Sequence, residues 1–270
     1  MIYLQSFKLS DSRLNCPNIY PYKVFRGNEG MVFFFDRITV LYGNNGSGKS
    51  TLLNQIASKL GIKGKEHVTA SSLGTNDYGN RYVSECSAEL GEDSLGRKLR
   101  RLPDDSRYIK SEDILYEVKK IQQKEVLGES LKYDRMSGGD SKEEAEDFLQ
   151  SKKGMERMEN IIFAQEKYSN GEISLQYLDD FIRPDALYLL DEPEVSLSPA
   201  NQVELSEKIN EMARLMDCQF IIATHSPFLL GTLNAKIYDL DSKNYRIAEW
   251  TELENVRYFY EFFKKHDKEF

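Results

Sequence analysis

An α/β fold is predicted, with a mainly parallel sheet flanked by helices and an inserted, partly helical subdomain. Three observations carry this expectation. Short apolar runs such as ITVLY (38–42), ALYLL (186–190) and QFIIAT (219–224) alternate with stretches of helical periodicity, the pattern of buried parallel strands covered on both faces. A glycine-rich stretch, 43–51, sits directly between one such strand and one such helix. From about 62 to 168 the text changes, first to turn-rich and then to charged and helical. The expected division is therefore 1–61 with 165–270 as the α/β head, and 62–164 as the insertion.

A chain of 270 residues and 31.2 kDa buries roughly three quarters of its unfolded surface and needs no disulfide to hold a core. Its 36 Lys/Arg against 44 Asp/Glu give a net charge of −8. That balance argues against a histone-like coat protein but leaves room for a local basic face. The longest apolar runs, such as MVFFF (31–35), are five residues, far below the roughly twenty of a spanning helix, so no transmembrane segment is expected. The start, MIYLQSFKLSDSR, lacks the basic-then-apolar layout of a signal peptide. Cys16, Cys86 and Cys218 are odd in number and have no CxxC spacing, which reads as free thiols in a reducing cytoplasm. His67, His225 and His266 are too scattered to suggest a metal cluster.

In chain order, MIYLQSF, MVFFF and ITVLY read as strands broken by turns at Pro17, Pro21 and Gly27-Asn28. Leu52, Leu53, Ile56, Ala57 and Leu60 then recur at helical spacing, with Gly61 at the C-cap position. Residues 62–110 are expected to hold only short strands, such as RYVSEC (81–86). Between 112 and 168, Ile114, Val118 and Ile121 make an apolar helical stripe beside the acidic DSKEEAED. A helix over 172–182 ends before Pro184, and ALYLL follows as a strand. Ser198-Pro199 opens the next helix, whose buried face is Leu205, Ile209, Met212, Ala213 and Met216. After QFIIAT, KIYDL and YRIAEW form a closing hairpin. The last helix is expected to begin at Thr251, where TELE has capping-box spacing. Its face of Val256, Phe259, Tyr260 and Phe263 is expected to pack on the sheet, with a partner interface as the other reading.

The glycine-rich stretch Gly43-Asn44-Asn45-Gly46-Ser47-Gly48-Lys49-Ser50-Thr51 fits G-x-x-x-x-G-K-[ST] between a strand and a helix. Its glycines let successive N–H groups point at phosphates, and the helix N-terminus adds a favourable dipole. Lys49 would reach the β- and γ-phosphates, and Ser50 would offer its hydroxyl to Mg²⁺. Asp191-Glu192 closes the ALYLL strand. Asp191 would hold Mg²⁺ through water, and Glu192 would orient and deprotonate the attacking water.

With these motifs the chain resembles the ABC-type ATPases, a group of P-loop NTPases. DEPEVSLSP (191–199) is most similar to the standalone bacterial AAA-annotated and RecF/SMC-like branch. The resemblance covers about 31–61 and 165–240. It implies ATP and Mg²⁺ as ligands and head-to-tail homodimers, with each ATP held between one subunit's phosphate loop and a Ser-Gly signature on the other. Met136-Ser137-Gly138-Gly139-Asp140 is nearer LSGGQ in spelling, but Ser169-Asn170-Gly171-Glu172 opens the helix leading into the Asp191 strand. Ser169–Glu172 is therefore the expected signature, with SGGD a turn or helix cap. His225, after QFIIAT, matches the family's switch histidine at the γ-phosphate. Ser198 stands where many transporters have aspartate. No Q-loop glutamine is identifiable: Tyr108-Ile109-Lys110-Ser111-Glu112 is a candidate replacement, while Gln122 and Gln123 lie too deep in a helix.

The expected function is ATP binding and slow hydrolysis coupled to dimer closure, in a nucleic-acid-related or defence-associated ATPase that licenses a separately encoded effector such as a nuclease. DNA or RNA is a candidate partner, because 97–124 carries nine Lys/Arg against five Asp/Glu. A solvated basic loop is the alternative there. The nucleotide-binding subunit of a membrane transporter is the alternative function, weakened by the degenerate signature, Ser198 and the missing Q-loop glutamine.

Overall fold

The computed structural model describes residues 1–14, 18–64, 78–93, 95–113, 124–158, 175 and 181–270. Expectations for Cys16, His67, Gln122, Gln123, Ser169–Glu172 and most of the 172–182 helix lie outside the described residues. The chain forms two compact units. One is Met1–Ser111 with Ile182–Val195 and Gln202–Phe270, and the other is Glu112–Phe181 with Ser196–Asn201.

The first unit opens with β1 (Leu4–Lys8), β2 (Val32–Phe34), β3 (Ile38–Tyr42) and α1 (Lys49–Leu60). Leu52, Leu53, Ile56 and Ala57 are fully buried. Gly61, at φ 67°, closes α1 by donating its N–H to Ala57 O, as a left-handed C-cap does. α2 (Tyr78–Glu85), β4 (Ser87–Leu90) and β5 (Arg107–Lys110) follow.

The strand expected over 81–86 is thus mostly helix. Gly79 and Tyr82 face inward at helical spacing, Arg81 bonds Glu85 one turn on at 3.0 Å, and the Tyr82 ring stacks on Phe25 and meets Tyr22 edge-on. β4 pairs antiparallel with β1, and β5 pairs parallel with a later head strand. The described residues of 78–111 fall in the first compact unit. Their strands are short and their partners distant in sequence, so local turn signals hid them.

In the second unit, α3 (Lys124–Ser137) and α4 (Lys142–Gln150) form a helical pair. Leu127, Leu131 and Ala145 are its buried apolar contacts. Lys132 ion-pairs with Glu146, and the Arg135 guanidinium lies 3.9 Å above the Phe148 ring. Ser141 and Glu144 make a reciprocal capping box at the start of α4.

The head resumes with β6 (Leu187–Asp191), α5 (Pro199–Leu215), β7 (Gln219–Thr224), α6 (Pro227–Thr232), β8 (Lys236–Asp239), β9 (Arg246–Ile247) and α7 (Glu254–Lys265). The six-stranded sheet runs β5-β6-β7-β3-β8-β9, and every pair is parallel except β8–β9. A smaller antiparallel sheet runs β2-β1-β4. Gln219 ties the two sheets together: its Oε1 accepts from the Tyr3 and Leu4 N–H groups, and its Nε2 donates to Leu4 O and Asp36 O. Every residue of β3, β6 and β7 is buried, which explains why these strands read as continuous apolar runs.

The C-terminal helix departs from expectation. Thr251 lies in a 3₁₀ turn, and Leu253, without a side-chain cap bond, precedes α7. Leu253 and Val256 are buried, whereas Phe259, Tyr260 and Phe263 are 45%, 56% and 53% exposed. These rings border a groove of about 670 Å³ shared with Phe228, Gly231 and Trp250. Among the described residues, no helix is long and apolar enough to cross a membrane.

Candidate active site

Strand register assembles the site. Tyr42 of β3 pairs with Thr224 of β7, Asp191 of β6 with Ala223, and Lys110 of β5 with Asp191. Four neighbouring parallel strands therefore end at one edge, where α/β sheets bind ligands. The glycine loop leaves β3 there, Glu192 leaves β6 and His225 leaves β7.

The loop's shape requires glycine at two positions. At Gly43 a Cβ would lie 2.4 Å from Ser47 Oγ; at Gly48, with φ 97°, it would lie 2.5 Å from Val24 Cγ1. Gly48 caps α1 without a side-chain bond, and the first turn holds no acidic residue, so its N–H groups and dipole suit an anion. Ser47 Oγ is buried with no hydrogen-bond partner among the described residues. Gly46 sits at φ 89° beside the exposed Asn45, and Thr51 is half-buried on α1. The outer limb is held from afar: the Asn44 N–H donates to Asp241 Oδ2 at 2.8 Å, and Asn255 Nδ2 donates to Asn44 Oδ1 at 3.1 Å.

Lys49 is 4% exposed. Its Nζ donates to Gly43 O at 2.7 Å and Asn44 O at 3.2 Å, and lies 3.7 Å from Glu192 Oε1. Ser50 Oγ donates to Asp191 Oδ1 at 3.1 Å, while the Tyr108 hydroxyl donates to Asp191 Oδ2 at 2.9 Å. Burial pushes the Asp191 carboxyl above its usual range; the Ser50 and Tyr108 bonds oppose this, and the neighbouring Glu192 charge adds to it. Tyr108→Phe removes a buried donor from this carboxylate, and urea melts are expected to show about 1–2 kcal/mol lower stability.

Glu192 takes φ 48°, a left-handed conformation that side chains rarely adopt. Its N–H donates to Ala223 O at 2.9 Å, so the strained turn is held against β7. Its Oε1 lies 3.5 Å from His225 Nδ1. Glu194, two residues on, is buried and accepts from Thr224 Oγ1 at 2.5 Å and from the His225 N–H at 3.2 Å. Burial raises the Glu194 carboxyl against those bonds and the nearby imidazole. A carboxyl harder to ionise folded than unfolded favours the folded state at low pH, and that contribution is lost as pH rises through its folded value. Urea melts across a pH series are thus expected to show a shallower loss of stability with rising pH in Glu194→Gln than in the parent.

The loop residues, Lys49, Ser50, Asp191, Glu192 and His225 lie together at this sheet edge. Tyr108 was visible only as part of a candidate Q-loop replacement, and Glu194 only as the second glutamate of DEPE. Asp241 and Asn255 carried no signal, being ordinary polar residues after a strand and at a helix start. The SGGD stretch closes a helix: the Gly138, Gly139 and Asp140 N–H groups donate to carbonyls of Asp134, Met136 and Arg135. Ser198 Oγ accepts from the Asn201 N–H at the start of α5. In the basic stretch, Arg97 pairs with Asp93 at 2.8 Å, and Lys110 sits over the Tyr108 ring.

The protein family described as "AAA domain, putative AbiEii toxin, Type IV TA system" matches residues 76–231, more than half of the chain. No curated protein matches the chain. Similar solved structures include the SMC head domain from Thermotoga maritima, at 15% identity and TM-score 0.45, covering 88% of this chain and 94% of that one. CbiO1 from Clostridium perfringens, part of the ABC transporter complex cbiONQ, is 15% identical at TM-score 0.44, with 98% and 94% covered. The Smc head domain with an extended coiled coil from Pyrococcus furiosus, bound to the C-terminal domain of ScpA, is 14% identical at TM-score 0.42, with 97% and 100% covered. These likenesses concern the fold alone.

Proposed function

This chain belongs to the AAA-domain family that matches residues 76–231, whose fold is that of the nucleotide-binding P-loop NTPases, and we propose that it hydrolyses ATP as an ABC-type ATPase. The observation that carries this reading is that Glu192 Oε1 lies 3.7 Å from Lys49 Nζ and 3.5 Å from His225 Nδ1, at the sheet edge where Ser50 meets Asp191.

The site's donors fit a magnesium nucleotide. Ser50 Oγ and Asp191 Oδ1 are a hydroxyl and a carboxylate oxygen of the type Mg²⁺ takes, and Ser47 Oγ is a buried group lacking a partner among the described residues. Bound Mg²⁺ neutralises phosphate charge. The uncapped start of α1 and Lys49 bind and orient the phosphates. Glu192 accepts the proton of the attacking water as its oxygen bonds to the γ-phosphorus and the bond to the β–γ bridging oxygen breaks. His225 stabilises charge on the γ-phosphate. Ser169, Asn170, Gly171 and Glu172 of a second copy would complete the site, so that ATP holds two heads together and hydrolysis releases them.

Such a clamp suits an ATPase that licenses a separately encoded effector, and the family's description, which names a type IV toxin–antitoxin system, supports a defence-associated setting. The deciding experiment is ATP turnover measured alongside size-exclusion with Mg-ATP. Hydrolysis with ATP-dependent dimers is expected; neither hydrolysis nor an ATP-induced mass change would refute the reading. Nucleic-acid retention measured over a salt series tests the basic stretch, since phosphate contacts weaken steeply with salt.

A further inference from the structure

Glu194 combines the burial of a core residue, 6% exposed, with the chemistry of a surface one. Its Oε1, already accepting from Thr224 Oγ1 and the His225 N–H, lies 3.7 Å from His225 Nδ1. Its Oε2 is buried with no hydrogen-bond partner among the described residues, and so is His225 Nδ1. A buried polar atom without a partner forfeits its hydration without a compensating bond. Here an unpaired carboxylate oxygen and an unpaired ring nitrogen able to donate belong to one cluster.

The rest of the imidazole is open: the His225 side chain is 42% exposed although Nδ1 is buried. Which ring nitrogen carries the proton is set by the bond the other makes. Two carboxylates compete for Nδ1, Glu192 at 3.5 Å and Glu194 at 3.7 Å. Pairing with Glu192 would occupy the oxygen that must accept a proton from water. Pairing with Glu194 leaves that oxygen free and turns Nε2 outward, where with both ring nitrogens protonated its N–H donates to the γ-phosphate. Glu194 is also the better-anchored carboxylate, fixed by the Thr224 hydroxyl at the end of β7, from which His225 emerges.

We propose that Glu194 is the positioning residue of His225: it takes the proton-bearing Nδ1, fixes the ring's tautomer and rotation, and keeps Glu192 free for water. This rests on the ATPase reading of the site. Glu194→Gln keeps the shape and an acceptor for Thr224 while removing the carboxylate.

The test combines ATP turnover of Glu194→Gln, His225→Ala and the double variant with ¹⁵N imidazole spectra of the full chain, in which His225 is assigned by its loss in His225→Ala. Glu194→Gln is expected to lower kcat at least about tenfold with little change in KM for ATP, because it acts through another residue. The double variant should turn over no more slowly than His225→Ala alone, as coupled groups do, and the Nδ1–H signature of His225 should be lost in Glu194→Gln. A parental kcat in Glu194→Gln, or losses that multiply in the double variant, overturns the proposal. If the parent chain hydrolyses no ATP, the ATPase reading falls, and an unchanged His225 tautomer in Glu194→Gln then still refutes the positioning role.

Discussion

Glu192→Gln is expected to lower ATP turnover by about 10²–10⁴-fold and to leave ATP-bound dimers that persist through size-exclusion. Glutamine preserves the side chain's shape and an acceptor oxygen but cannot take the proton of the attacking water. The backbone tolerates the exchange, since a left-handed conformation such as φ 48° costs glutamine and glutamate alike. Binding groups are untouched: Lys49 keeps its bonds to Gly43 O and Asn44 O, and Ser50 keeps Asp191. The check is turnover together with elution in Mg-ATP and analysis of the bound nucleotide. A variant that turns over at the parental rate removes Glu192 from the role of base. One that stays monomeric at high concentration counts against the clamp.

Lys49→Ala is expected to fail earlier, at binding, with ATP affinity about 10²-fold weaker, as losing one partner of a buried charge cluster implies. Lys49 is the buried cation of the loop, and its removal leaves two loop carbonyls without this donor and Glu192 without this ion-pair partner. The fold should survive, because α1 is anchored by the fully buried Leu52, Leu53, Ile56 and Ala57. Titration calorimetry with Mg-ATP measures the loss, and circular dichroism confirms that the helix remains. The two variants separate the steps: one binds and cannot hydrolyse, whereas the other cannot bind. Parental affinity in Lys49→Ala would place the phosphates elsewhere.

Much of this site was legible because its chemistry is written in consecutive residues. The phosphate loop needs its glycines, lysine and serine at fixed spacing, and a strand buried on both faces must be apolar until its last residue, where Asp191 and Glu192 emerge. Elements whose identity depends on distant partners were less legible. Residues 81–86 offered a valine and a tyrosine to a strand reading, yet Tyr82 finds its ring partners at Tyr22 and Phe25, which a helix presents and a strand there would not. Thr251 had capping-box spacing, but Leu253 is the buried anchor that sets where α7 begins. The aromatic face of α7 has the period of a packed helix and lies half exposed, since periodicity says which residues share a face and not what covers it.

The sequence by itself determined the head's fold class, the phosphate loop, the carboxylates that end β6 and the histidine that ends β7, because each rests on local geometry and on the burial pattern of a single strand or helix. Only the tertiary structure decided that the described residues of 78–111 fall in the same compact unit as these strands, that the Tyr108 hydroxyl reaches Asp191, that Asp241 and Asn255 hold Asn44, and that Glu194 and Glu192 both lie near the His225 imidazole. These contacts are created by parallel register, which sets side by side strand ends separated by tens of residues. No local pattern encodes that register.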